Sequence, residues 1–412
     1  MPFHTHTLPN GLQLIGETLP TARSASCGFF VVTGARDEVG PESGVSHFLE
    51  HMMFKGTPRR TALEVNLDFD RIGANYNAYT SEETTVYYAS LLPEYLAKGI
   101  DILADILRPS LRDEDFTTEK QVILEEIKMY EDNPGSMAWD HAKQIYFGTH
   151  PLGNSILGTT ESIAALTRDQ MHAYFERRYA PGNVVVAASG NFDWAEFVKL
   201  VEAKCGHWAD VSTVRVNTTD KAGTPGLHYV TKASSVQQHF LVMSRGPSAE
   251  SLTRYTGAVL ATAIGDDSGS RMYWDLVDPG LVESAGAMTD QAQGTGLAVA
   301  SFSSDPEKAL ENLDIVQRIL SDVQANGITA DELAQAKNKI ASRIVRGNER
   351  PMGRMRSIAG AWIYNREYAD VDTELARFDA VSLESVRSYL DEYPLDAPTV
   401  VGYGPLAAAV GA

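Results

Sequence analysis

The spacing of apolar residues changes period along the chain, and each change marks an element. Asn10-Gly11 is a turn signal, and short apolar or alternating runs at residues 12–16 and 25–33 read as strands. From residue 44 to 55 the spacing becomes helical, with Val45, Phe48, Leu49 and Met52 on one stripe. Residues 84–90 are β-branched and aromatic, which suits a strand. Residues 93–107 and 113–131 carry the three-to-four-residue repeat of two amphipathic helices, and residues 183–188 form a short apolar strand ending at Ser189-Gly190-Asn191. Residues 206–226 are polar and rich in Thr, Asp and Gly, and read as a linker between two halves.

The halves resemble each other. Pro93-Glu94, Ile100-Asp101-Ile102 and Ile106-Leu107 recur as Pro306-Glu307, Leu313-Asp314-Ile315 and Ile319-Leu320, at a constant offset of 213 (306 − 93). In the next helix Phe116, Lys120 and Ile123 fall on Leu333, Lys337 and Ile340, at an offset of 217 (333 − 116). Helical periodicity alone would match the apolar positions. The shared Pro, Glu, Asp and Lys positions favour duplication. Strands followed by paired helices in each half predict an α+β fold of two related domains, each a mainly antiparallel sheet with helices packed on one face. The expected division is residues 1–205, a linker at 206–226, and residues 227–412.

Composition narrows the function. The chain has 412 residues, with 35 Lys and Arg against 54 Asp and Glu, a formal charge of −19. Such acidity argues against nucleic acid, which is bound through basic patches, and favours basic peptides only weakly through the long-range field. No apolar run approaches the ~18 residues that span a bilayer. The opening residues lack a basic start followed by an apolar stretch, so a cytoplasmic protein without a signal peptide is expected. Cys27 and Cys205 cannot make a disulfide framework. Trp194, Trp208 and Trp274 read as core, and His4 and His6 as members of a strand or tail. His150 lies in a Pro/Gly turn, where a structural hydrogen bond is expected.

The chemistry concentrates at His47-Phe48-Leu49-Glu50-His51. On a helix, positions i and i+4 share a face, so both imidazoles can converge on one metal ion. Glu50, beside the second His, can reach a water on that ion; this is the His-x-x-Glu-His pattern of metalloproteases. An ordinary helix carrying two surface histidines would show the same spacing. A catalytic zinc site also needs a third protein ligand and an open position. Glu126 is the best candidate, and Glu119 lies two helical turns earlier on the same face. One carboxylate can bind the metal while the other holds a His or the site water. The equivalents in the second half are Ala336 and Arg343, and that half has no His-x-x-Glu-His, so only the first domain can hold this site.

The chain resembles the inverzincin metallopeptidases, the pitrilysin and insulinase family. It is most similar to the short bacterial members and to the β-type subunits of the mitochondrial processing peptidase. The resemblance covers nearly the whole length. It rests on Leu8-Pro9-Asn10-Gly11-Leu12, Gly44 to Met52, Asn77-Ala78-Tyr79-Thr80-Ser81, Glu119 to Glu126, His150-Pro151-Leu152-Gly153, Tyr179 to Asn183 and Ser189 to Asp193. It implies one zinc ion per chain held by His47, His51 and Glu126, with Glu50 as general base and Glu119 supporting the site. It also implies that Asn77, Ala78 and Tyr79 lie on an edge strand that receives a peptide substrate. The activity implied is zinc-dependent endopeptidase action on peptides or unstructured segments.

One stretch departs from the family pattern. Where the family carries Leu-Arg-x-x-x-Gly-Leu-Ala-Tyr, this chain has Leu276-Val277-Asp278-Pro279-Gly280-Leu281-Val282-Glu283, one residue shorter. Val277 stands in the Arg position and Glu283 in the Tyr position, and a carboxylate cannot stabilise an oxyanion as a hydroxyl can. Arg271, in the preceding segment, is not a straightforward replacement. The expectation is therefore a dimer, and specifically a heterodimer in which a related chain supplies the Arg/Tyr pair. A homodimer using other residues, and a non-catalytic structural or chaperoning subunit, are the alternatives.

Overall fold

The computed structural model describes residues 2–211, 215 and 219–407. Among the described residues, eleven strands form two sheets. The first contains β1 (Phe3–Thr7), β2 (Gln13–Thr18), β3 (Ala25–Val31), β4 (Asn75–Thr80), β5 (Thr85–Leu91) and β6 (Val184–Gly190), in the order β1-β2-β6-β3-β5-β4. The second contains β7 (Gly226–Thr231), β8 (Gln238–Gly246), β9 (Ser284–Ala292), β10 (Thr295–Ser304) and β11 (Thr399–Gly404), in the order β7-β11-β8-β10-β9. Without β1, the first order becomes the second on adding five to every strand number. Among the described strands of each sheet only the corresponding pair is parallel, β2 with β6 and β7 with β11. The fold is α+β, two related domains with mainly antiparallel sheets.

The duplicated helices keep their spacing. Asp113–Glu131 and Ala330–Asn348 have the same 19-residue length and start 217 residues apart (330 − 113). Lys120 donates to the Ala164 and Leu166 carbonyls, and its counterpart Lys337 donates to the Asp379 carbonyl. Each lysine thus satisfies carbonyls at or beside the C-terminus of a short helix, Thr160–Ala165 in one half and Val371–Asp379 in the other.

The compact units are not contiguous in sequence. One comprises residues 1–128, 154–216 and 345–370, and the other residues 129–153, 217–344 and 371–412. Each unit takes one helix from the opposite half of the sequence. In the first, Met355, Ile358 and Ala359 of the helix Pro351–Asn365 pack on Ile15, Phe30, Val86, Val185 and Ala187. In the second, Ala138, Ala142, Tyr146 and Phe147 of the helix Pro134–Phe147 pack on Leu241, Met243, Val299 and Val401. Each sheet is therefore covered on both faces, by the expected helices on one and by the borrowed helix on the other. That explains why β3 and β6 are buried along their whole length and read as continuous apolar runs. The expected linker, 206–226, includes residues 212–214 and 216–218, which lie outside the described residues.

Of the three tryptophans expected in cores, Trp208 is buried and Trp194 packs against the same cluster. Trp274 is not core: it sits on a π-helical turn, Tyr273–Val277, and is 58% exposed. The Leu276 neighbour takes the buried place instead. His4 and His6 lie on β1, and buried His150 accepts the Leu152 N–H through Nδ1. No helix among the described residues is long and apolar enough to cross a membrane.

Candidate metal centre

The helix Val45–Met53 carries the two imidazoles. Gly44 begins it with φ +87°, and an added Cβ there would meet the Leu157 carbonyl oxygen at 2.5 Å, so a side chain is excluded. Gly44 therefore cannot cap the helix with a side chain of its own. The buried Glu38 does so from outside, accepting the Gly44 N–H at 2.7 Å and the Ser46 N–H at 2.8 Å. Val45, Phe48, Leu49, Met52 and Met53 anchor the helix in the first unit's core.

The helix Asp113–Glu131 supplies the carboxylates. Its buried stripe is Phe116, Glu119, Ile123 and Ile127, so Glu119 occupies a position the spacing reserves for an apolar side chain. His51 lies between the two acids. Its Nδ1 is 2.9 Å from Glu119 Oε1, and its Nε2 is 3.6 Å from Glu126 Oε2. His47 Nε2 is 3.8 Å from Glu126 Oε1, and the two imidazole centroids are 4.7 Å apart. Ligand atoms of His47, His51 and Glu126 all lie within 4.8 Å of one another. Ligands of a tetrahedral ion with bonds of ~2.0–2.1 Å sit about 3.4 Å apart, so the three side chains fit such an ion with small adjustments.

The electrostatics suit the same use. Burial, with the charge of His51, pushes the His47 pKa down to about 3, so its lone pair is free at neutral pH. Burial also opposes the charged form of His51. The hydrogen bond to Glu119 and the charges of Glu126, Glu119 and Glu50 outweigh it and hold His51 above its ordinary pKa. Burial likewise works against Glu119 ionising, but His51 and Lys55, whose Nζ is 2.7 Å from Glu119 Oε2, keep its carboxyl below the usual range. Glu50 is raised, chiefly by burial, although the Thr80 hydroxyl donates to its Oε2 at 2.6 Å. Burial pushes both Cys27 and Cys205 thiols up to about 12, which removes them as thiolate ligands or nucleophiles.

Asn77, Ala78 and Tyr79 fall on β4, the last strand of the first sheet. The Ala78 N–H is met by the Asn77 side chain at 2.9 Å rather than by another strand. Ala78 and Thr80 face the helices, while Tyr79 meets Tyr88 edge-on on the other side. Sequence reasoning missed three supporting residues: Thr80, Lys55 and Glu38. Thr80 was visible only as a member of the Asn77-Ala78-Tyr79-Thr80-Ser81 stretch, and nothing in the spacing links Lys55 to Glu119 or Glu38 to Gly44, because those contacts are made by the fold.

Comparison with known proteins supplies the family. Residues 14–160 match the family model described as insulinase (peptidase family M16), and residues 165–340 match the peptidase M16 inactive domain. The chain belongs to peptidase family M16. This M16 chain is 33% identical over 388 residues to an uncharacterised zinc protease of Mycobacterium leprae, covering 93% of this chain and 87% of that one. It is 33% identical over 410 residues to an uncharacterised zinc protease of Streptomyces coelicolor, covering 97% and 89%. A crystal structure of a protease from Helicobacter pylori shares the fold with a TM-score of 0.90, at 21% identity, over 98% of this chain and 99% of that one. The metal group lies wholly in the first match, and within the second Ala336 is buried where Glu119 would stand.

In the second unit, Arg271 is bound by Asp322 and Glu332, each at 2.6 Å. These two carboxylates hold its guanidinium in place. Val277 ends the π-helical turn, and Glu283 is exposed just before β9.

Proposed function

We propose that this M16 chain is a zinc-dependent endopeptidase acting on peptides or unstructured segments. The observation that carries the reading is the convergence of His47, His51 and Glu126 beside a raised Glu50 that is tied to the edge strand through Thr80. His47 and His51, through Nε2, and Glu126 would hold the ion. The chemistry a bound zinc supplies is a water acidified toward pKa ~7 and a polarised scissile carbonyl.

The remaining work belongs to side chains. Glu119 accepts from His51 Nδ1 and so points Nε2 inward, and Lys55 keeps Glu119 ionised. Thr80 orients the Glu50 carboxylate, which takes a proton from the attacking water and returns it to the leaving amine. Such general-base assistance is worth about 10²–10⁴-fold. The free edge of β4 pairs with the peptide backbone, so binding depends little on sequence and holds the peptide extended.

A second reading comes from Val277 and Glu283: a related chain provides the Arg/Tyr pair in a heterodimer. If no partner does so, the chain is a non-catalytic subunit. One experiment separates these. A fluorogenic peptide is assayed with the chain alone and with any paralogue co-expressed and co-purified, each with and without chelator, and the complex is weighed. Chelator-sensitive cleavage lost by at least about 100-fold in Glu50→Gln, with zinc retained, supports the endopeptidase. Full activity of a single chain type removes the heterodimer. No cleavage by either preparation leaves the structural subunit.

A further inference from the structure

Arg356, on the borrowed helix of the first unit, is exposed and stands over two tyrosine rings at the edge of the sheet. Its guanidinium carbon is 4.7 Å from the Tyr88 ring centre and 5.5 Å from that of Tyr79. Elsewhere in the same unit Arg36, Arg60, Arg178, Arg215 and Arg354 each hold a carboxylate at 2.5–2.8 Å. Arg356 has no ion pair or hydrogen bond among the described residues, although the chain carries a charge of −19. The rings restrict its side chain without neutralising it. Its bidentate donors remain open to solvent beside Tyr79, itself 38% exposed on β4.

The geometry of strand addition says what would meet it. A peptide on the free edge of β4 lies about 4.8 Å away, and its side chains alternate between the faces of the sheet. One face is that of Thr80 and Glu50; the other is that of Tyr79 and Arg356. Of the two residues flanking the cleaved bond, one therefore points to each face. A third residue, two positions from the second, also faces Arg356.

We propose that Arg356, held over Tyr79 and Tyr88, receives an acidic side chain of the bound peptide, so that Glu or Asp within two residues of the cleaved bond is selected. This rests on the proposed use of the β4 edge by peptide. A charge-assisted guanidinium–carboxylate contact is the stronger kind of hydrogen bond, and a rigid aromatic bed lowers the ordering cost of making it.

The test measures binding and cleavage separately. Labelled peptides differing only by Glu, Gln or Lys at each of four positions around the cleaved bond are titrated by anisotropy into full-length Glu50→Gln protein. Cleavage of the same peptides by unsubstituted protein is followed by mass spectrometry. At one position Glu should bind about tenfold more tightly than Gln. The ratio should fall to about one in an Arg356→Gln background, and Lys should become the favoured residue with Arg356→Glu. Damage to folding would weaken all peptides alike and leave the ratios untouched. Ratios unchanged across the three proteins, or no position preferring Glu, overturn the inference even if cleavage is robust. Charge-dependent binding without cleavage supports the inference and counts against the catalytic reading. Absence of binding by every peptide overturns both.

Discussion

The acids beside His51 favour a proton that a cation would have to displace, whereas His47 is already neutral. The difference comes from placement. His47 is buried, with Glu126 its nearest carboxylate among the described residues, while His51 lies between Glu119 and Glu126. Burial drives His47 to about 3, and the acids hold His51 above 6.5. Metal binding below the raised pKa of His51 should then release about one proton, not two. Below the raised pKa of His51, affinity should fall about tenfold for each pH unit. Glu119→Gln removes the largest raising contact and should move that break to lower pH. A zinc-indicator competition across about pH 6–8 measures the slope. A slope near two, or a break that ignores Glu119→Gln, would show that this assignment of protonation is wrong. Glu50 is not part of this proton count: its raised pKa bears on its role as base, and its oxygen is already engaged by Thr80.

At the scale of elements, the borrowed helix Pro351–Asn365 is tied to the first sheet by more than apolar contact. Arg354 and Glu17 are both fully buried, with Nε to Oε2 at 2.7 Å, and Arg354 also donates to the Ala369 carbonyl at 2.7 Å. Removing one partner of a buried pair leaves the other charge uncompensated. Arg354→Leu should therefore cost about 3–5 kcal/mol in chemical denaturation. The double change Arg354→Leu with Glu17→Leu should recover much of that loss; equal losses for single and double variants would refute the pairing. Nothing in the local pattern announces this contact, since Glu17 and Arg354 are 337 residues apart. The legible elements were those with strong local period, such as Val45–Met53, Asp113–Glu131 and Val184–Gly190. The candidate site was partly legible for the same reason: i and i+4 spacing pairs His47 with His51, and Glu119 and Glu126 fall two turns apart on one helix face. Thr80, Lys55, Arg354 and Arg356 were not, because each acts through a partner brought close only by tertiary folding. Trp274 shows the reverse error, since bulk alone does not bury a side chain placed on a π-helical turn.

The whole molecule sets a field that opposes its own Arg356. A charge of −19 repels acidic peptides over distances of a Debye length, about 10 Å at 0.1 M salt. A guanidinium–carboxylate contact acts at bonding distance and is screened much less when partly covered by rings. The two effects should separate with ionic strength. For a Glu-containing peptide, raising salt from about 0.02 to 0.3 M should increase the association rate as long-range repulsion is screened. The dissociation rate should rise only modestly. For a Lys-containing peptide of the same length the association rate should fall over the same range. Stopped-flow anisotropy with Glu50→Gln protein gives both rates. If the Glu peptide associates more slowly as salt rises, the net field is not what approaching substrate experiences, and local cations near the β4 edge dominate capture as well as retention. If both peptides respond alike, charge plays no part in encounter, and the acidity of the chain serves solubility alone.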